Sequence, residues 1–247
     1  MGKDLGEYIH AIRIEDLLEI EPYVCRLPVV KNLMLKGELK FNKNISFFVG
    51  ENGTGKSTLL EAIAVAYGFN AEGGTKNFSF HTKQTHSNLA GKLKISKRKY
   101  PKDGFFLRAE SFYNVATEID RLDEIFPLLG SYGGKSLHQQ SHGESFFNLI
   151  LNRFGGNGIY LLDEPEAALS PSRQMALIAQ MHQLEKRNSQ FIIATHSPIL
   201  LAYPNAEIYE LTEEDIKLTP YEETEHYIIT KQFLEHPQKM LDYLLND

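Results

Sequence analysis

One eight-residue stretch, Gly50–Ser57, constrains this chain more than any other. It reads G-E-N-G-T-G-K-S and fits the phosphate-binding pattern G-x-x-x-x-G-K-[ST]. The apolar run Ile45–Val49 before it predicts a buried strand, and Thr58–Ala66 after it predicts a helix. A strand, a glycine loop and a helix in that order direct backbone N–H groups and the positive end of a helix dipole at phosphate. The sequence therefore predicts a nucleoside triphosphate site.

Two side chains of this loop have predicted roles of their own. The Lys56 ammonium is expected to reach the β- and γ-phosphates, and the Ser57 hydroxyl is expected to ligate Mg²⁺. The glycines allow the backbone to approach the phosphates closely. The residues expected to contact the nucleotide here are Gly50, Glu51, Asn52, Gly53, Thr54, Gly55, Lys56, Ser57 and Thr58.

An apolar strand that ends in two carboxylates forms the second part of the predicted site. Ile159–Leu162 is followed directly by Asp163, Glu164 and Pro165. Beside a phosphate loop, Asp163 is expected to hold Mg²⁺ and Glu164 to polarise the attacking water. The alternative is an acidic pair that merely ends a strand. The neighbouring phosphate loop and the strand-ending Pro165 favour the catalytic interpretation.

A histidine follows a third apolar run. Phe191–Ala194 predicts a strand, and His196 lies just beyond its end. In an open α/β sheet the ligand lies outside the carboxyl ends of the strands, where Asp163, Glu164 and His196 would converge. An imidazole there can donate to a γ-phosphate oxygen. The alternative is a structural histidine bonded to a nearby carbonyl.

A serine–glycine segment lies between the phosphate loop and the acidic strand. Gln140–Ser145 reads Q-S-H-G-E-S and opens a predicted helix, whose first N–H groups can bind an anion. A single phosphate loop does not need a second anion site, so Ser141 and Gly143 are candidates to bind the nucleotide of another molecule. An ordinary helix N-cap also explains this segment.

The order of these motifs resembles the ABC-class ATPases over Ile45 to Pro198. Within that class, the wording D-E-P-E-A-A-L-S-P and T-H-S-P is similar to the RecF/SMC/OLD-type cytosolic branch, and to its small stand-alone ATPases in particular. Three positions depart from the usual class pattern: Gln140 and His142 in the signature segment, and Ser170 in the loop that crosses the dimer interface.

The resemblance implies a head-to-tail homodimer that encloses two ATP molecules with Mg²⁺. One copy would supply Lys56, Ser57, Asp163, Glu164 and His196. The other would supply Ser141 and Gly143 to the γ-phosphate. Glu110 is the positional candidate for the class's glutamine loop, and Tyr23 and Phe41 are candidates to stack on adenine.

The expected fold is an α/β P-loop NTPase of the ABC type. It has a mixed, largely parallel central sheet, an antiparallel N-terminal β part and a small helical subdomain. We expect one domain over residues 1–247, with residues 68–145 as an insertion that carries the signature segment. The segment 35–41 predicts a strand, 92–108 a hairpin, and 159–194 a strand–helix–strand unit. Only 83 residues separate Ser57 from Ser141, which excludes long coiled-coil arms.

Composition restricts the setting. The chain has 247 residues with 42% hydrophobic content, enough for a core, and one cysteine, Cys25, which fits a reducing compartment. No apolar run is long enough to cross a bilayer, so a cytoplasmic location is expected. The net charge of −6 gives no overall attraction for nucleic acid.

One local segment is basic nevertheless. Its cations could contact a nucleic-acid backbone, or they could protect an edge strand from pairing. They are Lys92, Lys94, Lys97, Arg98, Lys99 and Lys102.

Three functions fit these observations. The first is ATP hydrolysis that opens a homodimer closed by ATP, acting as a switch in DNA repair, DNA maintenance or defence with an unidentified protein partner. The second is the energising subunit of an ABC transporter, which the altered signature disfavours. The third is a regulatory module that binds ATP with negligible turnover, which Glu164 disfavours because a binding site needs no base.

Overall fold

The computed structural model describes residues 8–18, 20–76 and 88–245. The described strands are β1 (Ile9–Ile14), β2 (Leu39–Lys40), β3 (Ile45–Val49), β4 (Leu93–Lys97), β5 (Asp103–Arg108), β6 (Gly158–Asp163), β7 (Gln190–Ala194), β8 (Glu207–Leu211) and β9 (Ile216–Leu218). The described α-helices are α1 (Pro22–Arg26), α2 (Pro28–Lys36), α3 (Lys56–Tyr67), α4 (Phe112–Asp123), α5 (His142–Arg153), α6 (Pro171–Lys186), α7 (Pro198–Leu201), α8 (Glu225–Glu235) and α9 (Pro237–Leu245).

A six-stranded sheet forms the centre, in the order β5-β6-β7-β3-β8-β9. The first five strands are parallel, and β9 is antiparallel to β8. The expected strand–helix–strand unit is confirmed as β6, α6 and β7, with β6 and β7 side by side. Because parallel strands end at the same edge, the loops after β3, β6 and β7 meet there.

Both faces of the central sheet are covered, which explains why its strands are apolar throughout. On β3, Phe48 packs into one core with α2 and α3, while Phe47 packs into a second core with α5 and α6. Both rings are fully buried. Burial of a phenylalanine contributes roughly 1.5 to 3 kcal/mol, so the period-two alternation of these large rings fixes the register of β3.

A smaller sheet, β2-β1-β4, is antiparallel and lies on the α3 side. It supplies Ile12 and Leu39 to the same core as Phe48. The expected mixed sheet with an antiparallel N-terminal part is confirmed.

The predicted hairpin over residues 92–108 is wrong. Its two strands belong to different sheets: β4 pairs with β1, and β5 pairs in parallel with β6. The reason lies in burial, since Phe105, Phe106 and Leu107 are consecutive and all buried. A run buried on both faces is typical of a strand inside a parallel sheet rather than of a half-exposed hairpin.

The predicted strand over residues 35–41 is mostly wrong as well. Its first two residues end α2, and only Leu39–Lys40 pair as a strand. Gly37 ends the helix with φ of 76°, and its N–H donates to the Leu33 carbonyl. Helices α1 and α2 each begin at a proline, Pro22 and Pro28, which is a favoured first helical residue.

Part of the predicted insertion, residues 77–87, lies outside the described residues. Within the rest of 68–145, β4 and β5 belong to the two sheets, and α4 with the start of α5 supplies the helical part. The expectation of one domain over residues 1–247 stays a prediction. None of the helices in residues 8–18, 20–76 and 88–245 has the length and apolarity of a membrane-spanning segment.

Candidate functional site

The phosphate loop follows β3 and leads into α3. Gly53 and Gly55 have φ of 87° and 96°, a region that glycine adopts without steric cost, and α3 begins at Lys56. Gly50 also needs to be glycine, because a Cβ there would lie 2.2 Å from the Leu211 carbonyl oxygen. The helix start and the preceding turn therefore have the geometry of an anion-binding loop.

Lys56 is held inside this loop. Its side chain is buried, and Nζ donates to the carbonyl oxygens of Gly50 at 2.8 Å and Glu51 at 2.9 Å. Burial lowers the pKa of Lys56, while the charges of Glu164 and Asp163 raise it. The ammonium is thus positioned where a phosphate chain would rest on the loop.

Ser57 and Asp163 are in contact although 106 positions separate them. The Ser57 hydroxyl donates to Asp163 Oδ1 at 2.9 Å. Asp163 is only 6% exposed, and burial raises its pKa to about 6, against the opposing charge of Arg108. A hydroxyl and a carboxylate are hard oxygen ligands, and Mg²⁺ needs only one or two carboxylates besides waters and phosphates. This pair therefore fits Mg²⁺.

Arg108 and Glu61 belong to this site, and the sequence analysis did not find them. Arg108 ends β5, and its Nε lies 3.3 Å from Asp163 Oδ2. Its Nη1 lies 2.5 Å from Glu61 Oε2 on α3. Neither residue is part of a motif; the only signal is that β5 pairs with β6, which places Arg108 opposite Asp163.

Glu164 has an unusual backbone conformation. Its φ is 48° and its ψ is 52°, the left-handed region that glycine favours, and its N–H donates to the Ala194 carbonyl at 2.9 Å. Such a conformation costs of order 1 to 3 kcal/mol and persists where the surroundings enforce it, often at functional sites. Its carboxylate is half-exposed, with Oε1 3.9 Å from His196 Nε2.

Glu166 is a third site residue that was not predicted from the sequence. Its carboxylate accepts hydrogen bonds from the Thr195 hydroxyl at 2.7 Å and from the His196 N–H at 2.6 Å. Burial raises the pKa of Glu166, and these two donors oppose that rise. Glu166 fixes the backbone of the loop that presents His196. Its position two residues after Glu164 was the available signal.

His196 lies between the phosphate loop and the C-terminal part of the chain. Burial, the charge of Lys56 and the neighbouring His226 lower the pKa of His196 to about 4, so the ring is neutral at pH 7. Its Nδ1 lies 2.8 Å from Nε2 of His226 on α8. The strand-end side chains predicted from the sequence are therefore brought together at one edge of the sheet.

The signature segment lies at the exposed start of α5. The Ser141 N–H and hydroxyl both donate to Glu144 Oε2, at 3.3 and 2.7 Å. Gly143 packs closely on the loop after β6, since a Cβ there would lie 2.8 Å from the Ala168 carbonyl oxygen. The ordinary N-cap interpretation is therefore satisfied within one copy of the chain, and Ser141 and His142 are exposed.

Among the cavities that adjoin the strand ends, two include the predicted Mg²⁺ ligands or part of the phosphate loop. One of about 320 Å³ is lined by Ser57, Ala109, Glu110, His142, Asp163, Glu164 and Ala167. A second, of about 480 Å³, is lined by Glu51, Asn52, His196, Glu225, His226, Ile229 and Thr230. Glu110 lines the first cavity together with the predicted Mg²⁺ ligands Ser57 and Asp163, and its role as the counterpart of the glutamine loop stays a prediction. Neither cavity is lined by Ser141 or Gly143.

One adenine candidate is wrong. Phe41 is fully buried, where it packs against Phe48 and Tyr209 in the core. A ring enclosed by other side chains has no free face for a base. Tyr23 is exposed, and its role stays a prediction.

The basic segment is partly neutralised. Lys92 lies 3.0 Å from Asp16, and Lys94 lies 3.5 Å from Glu15. Both lysines flank or lie on β4, which forms an edge of the antiparallel sheet. This placement agrees with protection of an edge strand. Nucleic-acid contact by the segment stays a prediction.

Comparison with known proteins reveals a short family match. A family model described as "AAA domain, putative AbiEii toxin, Type IV TA system" matches residues 125–202, less than half of the chain. No curated protein sequence matches the chain significantly.

Solved structures are similar over most of the chain. One, described as "an inward-facing conformation of a putative metal-chelate type ABC transporter", has a TM-score of 0.50 at 15% identity and covers 91% of this chain and 88% of its own. A second, cbiO1 from Clostridium perfringens, part of the ABC transporter complex cbiONQ, has a TM-score of 0.48 at 16% identity. It covers 97% of this chain and 100% of its own. A third, the SMC head domain from Thermotoga maritima, has a TM-score of 0.40 at 16% identity and covers 74% of this chain and 92% of its own.

The first of these similarities shows the fold alone. The chain has the fold of an ABC-class P-loop ATPase, which confirms the fold expected from the order of its motifs.

Proposed function

We propose that this chain is a Mg²⁺-dependent ATPase, with one nucleotide-binding domain over residues 1–247. One observation carries the proposal: residues from three separate strand ends converge at one sheet edge beside a phosphate loop. They are Lys56, Ser57, Asp163, Glu164 and His196. The choice of ATP rests on the fold shared with ABC-class ATPases.

Phosphoryl transfer depends mainly on positioning and electrostatics, and the chain's own groups supply both. The loop N–H groups and Lys56 hold the phosphates. Ser57 and Asp163 would hold Mg²⁺, which when bound neutralises phosphate charge. The Glu164 carboxylate accepts the proton of the attacking water, and His196 donates to a γ-phosphate oxygen.

We further propose that ATP closes a head-to-tail homodimer, in which Ser141 and Gly143 of the second copy contact the γ-phosphate. The exposure of Ser141 at the start of α5 supports this arrangement, because a second copy can reach it. Hydrolysis would then open the dimer, as in a switch.

For the biological setting we propose a cytoplasmic switch in DNA maintenance or defence, with an unidentified protein partner. The words "toxin" and "TA system" in the description of the matched family model support the defence option. The departures at Gln140 and His142 from the usual signature disfavour a transporter subunit.

The experiment is phosphate release from ATP by the wild-type protein and by Glu164→Gln, with Mg²⁺ or with EDTA. We expect Mg²⁺-dependent release by the wild type. Glu164→Gln should lower kcat about 10² to 10⁴-fold, the usual contribution of a general base, without weakening ATP binding. Glu213→Gln, an exposed site in the β8–β9 turn, is the matched control. A wild type that releases no phosphate from ATP overturns the proposal, and unchanged turnover in Glu164→Gln removes the role of Glu164.

A further inference from the structure

The C-terminal helix α8 brings a second histidine to the site. His226 lies in its first turn, with Nε2 2.8 Å from His196 Nδ1. The ring centroids are 5.0 Å apart, at an interplanar angle of 44°. No motif predicted this contact, because 30 positions separate the two residues and the C-terminal segment has no recognisable pattern.

The start of α8 is anchored to the loop that carries His196. Thr224 is fully buried and caps the helix, and its hydroxyl donates to the Tyr221 carbonyl at 2.8 Å. The Tyr221 hydroxyl in turn donates to the Pro198 carbonyl at 2.9 Å, two residues after His196. These bonds hold the backbone on both sides of the histidine pair, so the ring contact is part of the fold rather than a chance approach.

The 2.8 Å contact requires one proton between the two rings. If His226 donates, His196 carries its own proton on Nε2. If His196 donates, its Nε2 is a bare acceptor. Burial lowers the pKa of both histidines, and the charge of Lys56 lowers each further, so both rings are neutral and only these two arrangements compete.

The surroundings favour the first arrangement. His196 Nε2 and His226 Nδ1 are both buried without a hydrogen-bond partner among the described residues. His196 Nε2 lies 3.9 Å from a Glu164 oxygen, which attracts an N–H and repels a lone pair. Each arrangement leaves one buried N–H without a hydrogen-bond partner, on His196 Nε2 in the first and on His226 Nδ1 in the second. Among the described residues, only the N–H of the first arrangement has a carboxylate oxygen as close as 3.9 Å, so the first is favoured.

We propose that His226 is a positioning residue that donates to His196 Nδ1 and thereby fixes His196 with its proton on Nε2, facing Glu164 and the γ-phosphate position. The inference rests on the proposed ATPase function, since only a phosphate oxygen there makes use of that donor. A bare Nε2 would present a lone pair to an anion, and the attraction would be lost.

The test uses three substitutions at one position and one control. His226→Phe keeps the ring shape and removes the donor, and His226→Asn has an amide that stops short of the Nε2 position. His226→Gln extends an amide N–H to that position. His236→Phe, at the other end of α8 and exposed, is the matched control.

We expect kcat for ATP to fall about tenfold in the Phe and Asn variants, the lower end of losses when a partner that orients a functional histidine is removed. The Kd for ATP should change less than twofold, since the phosphate loop is untouched. His226→Gln and His236→Phe should retain most of the wild-type kcat. If ATP binding weakened by the same factor as kcat falls, or if kcat fell as much in the Gln variant, the role would be merely structural and the proposal overturned.

A second readout does not depend on activity. Imidazole ¹⁵N NMR of the nucleotide-free protein should find His196 protonated on Nε2 in the wild type and in His226→Gln, and a mixture of tautomers in His226→Phe and His226→Asn. A wild-type His196 protonated on Nδ1, or a tautomer unchanged in every variant, contradicts the proposal. Nε2 protonation in a wild type without ATPase activity would instead overturn the proposed function, and with it the role of His226 in positioning His196 for catalysis.

Discussion

The two predicted phosphate-binding segments differ in how completely one copy of the chain builds them. At the phosphate loop, Lys56 is 4% exposed and bonded to two loop carbonyls, and Ser57 is already in contact with Asp163. At the start of α5, Ser141 is exposed, and its N–H and hydroxyl both donate to Glu144 of the helix that follows.

The two segments therefore differ in whether they need a second copy of the chain to bind phosphate. The first is assembled from three strand ends of one copy and can receive phosphate without help. The second is exposed at the start of α5, where a nucleotide held by another molecule can reach it. At the first site, burial raises the pKa of Asp163 and lowers the pKa of Lys56 and of His196.

Lys56→Ala should have the largest effect. A lost hydrogen bond to a charged group costs about 1.5 to 3 kcal/mol in binding, and a lost electrostatic stabiliser costs about 10² to 10³-fold in kcat, so kcat/KM should fall about 10⁴-fold. Phosphate release and ATP titration measure this. Lys31→Ala, an exposed lysine on α2, is the control. Full activity in Lys56→Ala would mean that nucleotide binds elsewhere.

The burial of His196 should also make the stability of the protein depend on pH. The pKa of His196 is lowered to about 4 from about 6.5, so between these values the unfolded chain binds a proton that the folded protein does not. The contribution of His196 to the free energy of unfolding is therefore fully present above pH 6.5 and is lost as the pH falls toward 4. His196 accounts for at most about 2.5 kcal/mol of this loss at pH 4.5.

Urea unfolding of the wild type and His196→Gln at pH 7 and 4.5 measures this contribution. The variant should lose less stability on acidification than the wild type. Asp163, whose raised pKa acts in the opposite direction, is common to both proteins. Equal losses in the two proteins would show that His196 titrates as an exposed histidine.

The exposed segment gives a smaller effect that depends on two copies. Ser141→Ala should lower kcat about 10 to 100-fold and leave ATP binding by the monomer unchanged, because the phosphate loop is intact. It should also cost about 1 kcal/mol of stability through loss of the helix cap. Mixing Ser141→Ala with Lys56→Ala should restore part of the activity, since a mixed dimer has one complete site. No restoration would argue against sharing between copies.

The smallest expected effect concerns the basic segment. Lys92 and Lys94 already have carboxylate partners, so Arg98→Ala with Lys102→Ala should weaken duplex DNA binding more, by about tenfold, with a shallower salt dependence. Lys92→Ala with Lys94→Ala is the matched control. Equal affinities for DNA in all three proteins would leave edge protection as the role of the segment.

The sequence was sufficient where chemistry lies in consecutive residues. The loop Gly50–Ser57, the Asp163–Glu164 strand end and the run before His196 each combine a short motif with a clear apolar period, so the parallel core followed directly. Helices α1 and α2 were not predicted because helices of five and nine residues contain too few turns for a helical period to be recognised in the sequence.

Long-range contacts account for the rest. Arg108 and Glu61 meet Asp163 only because β5 lies beside β6, and the predicted hairpin had hidden that pairing. Glu166 and His226 both position His196, from 30 residues away on either side. Such partners follow from topology, and among them only Glu166 had a local signal, its position two residues after Glu164.

The ATP-closed homodimer is tested by the mass in solution of Glu164→Gln, measured with and without Mg²⁺ and ATP. The change removes the proposed base and leaves the phosphate loop intact, so ATP should stay bound. The account predicts a monomer without ATP and a particle of twice the mass with it, and a monomer under both conditions when Lys56→Ala is added. A mass that does not respond to ATP would contradict the ATP-closed homodimer and the role of Ser141 and Gly143 across it.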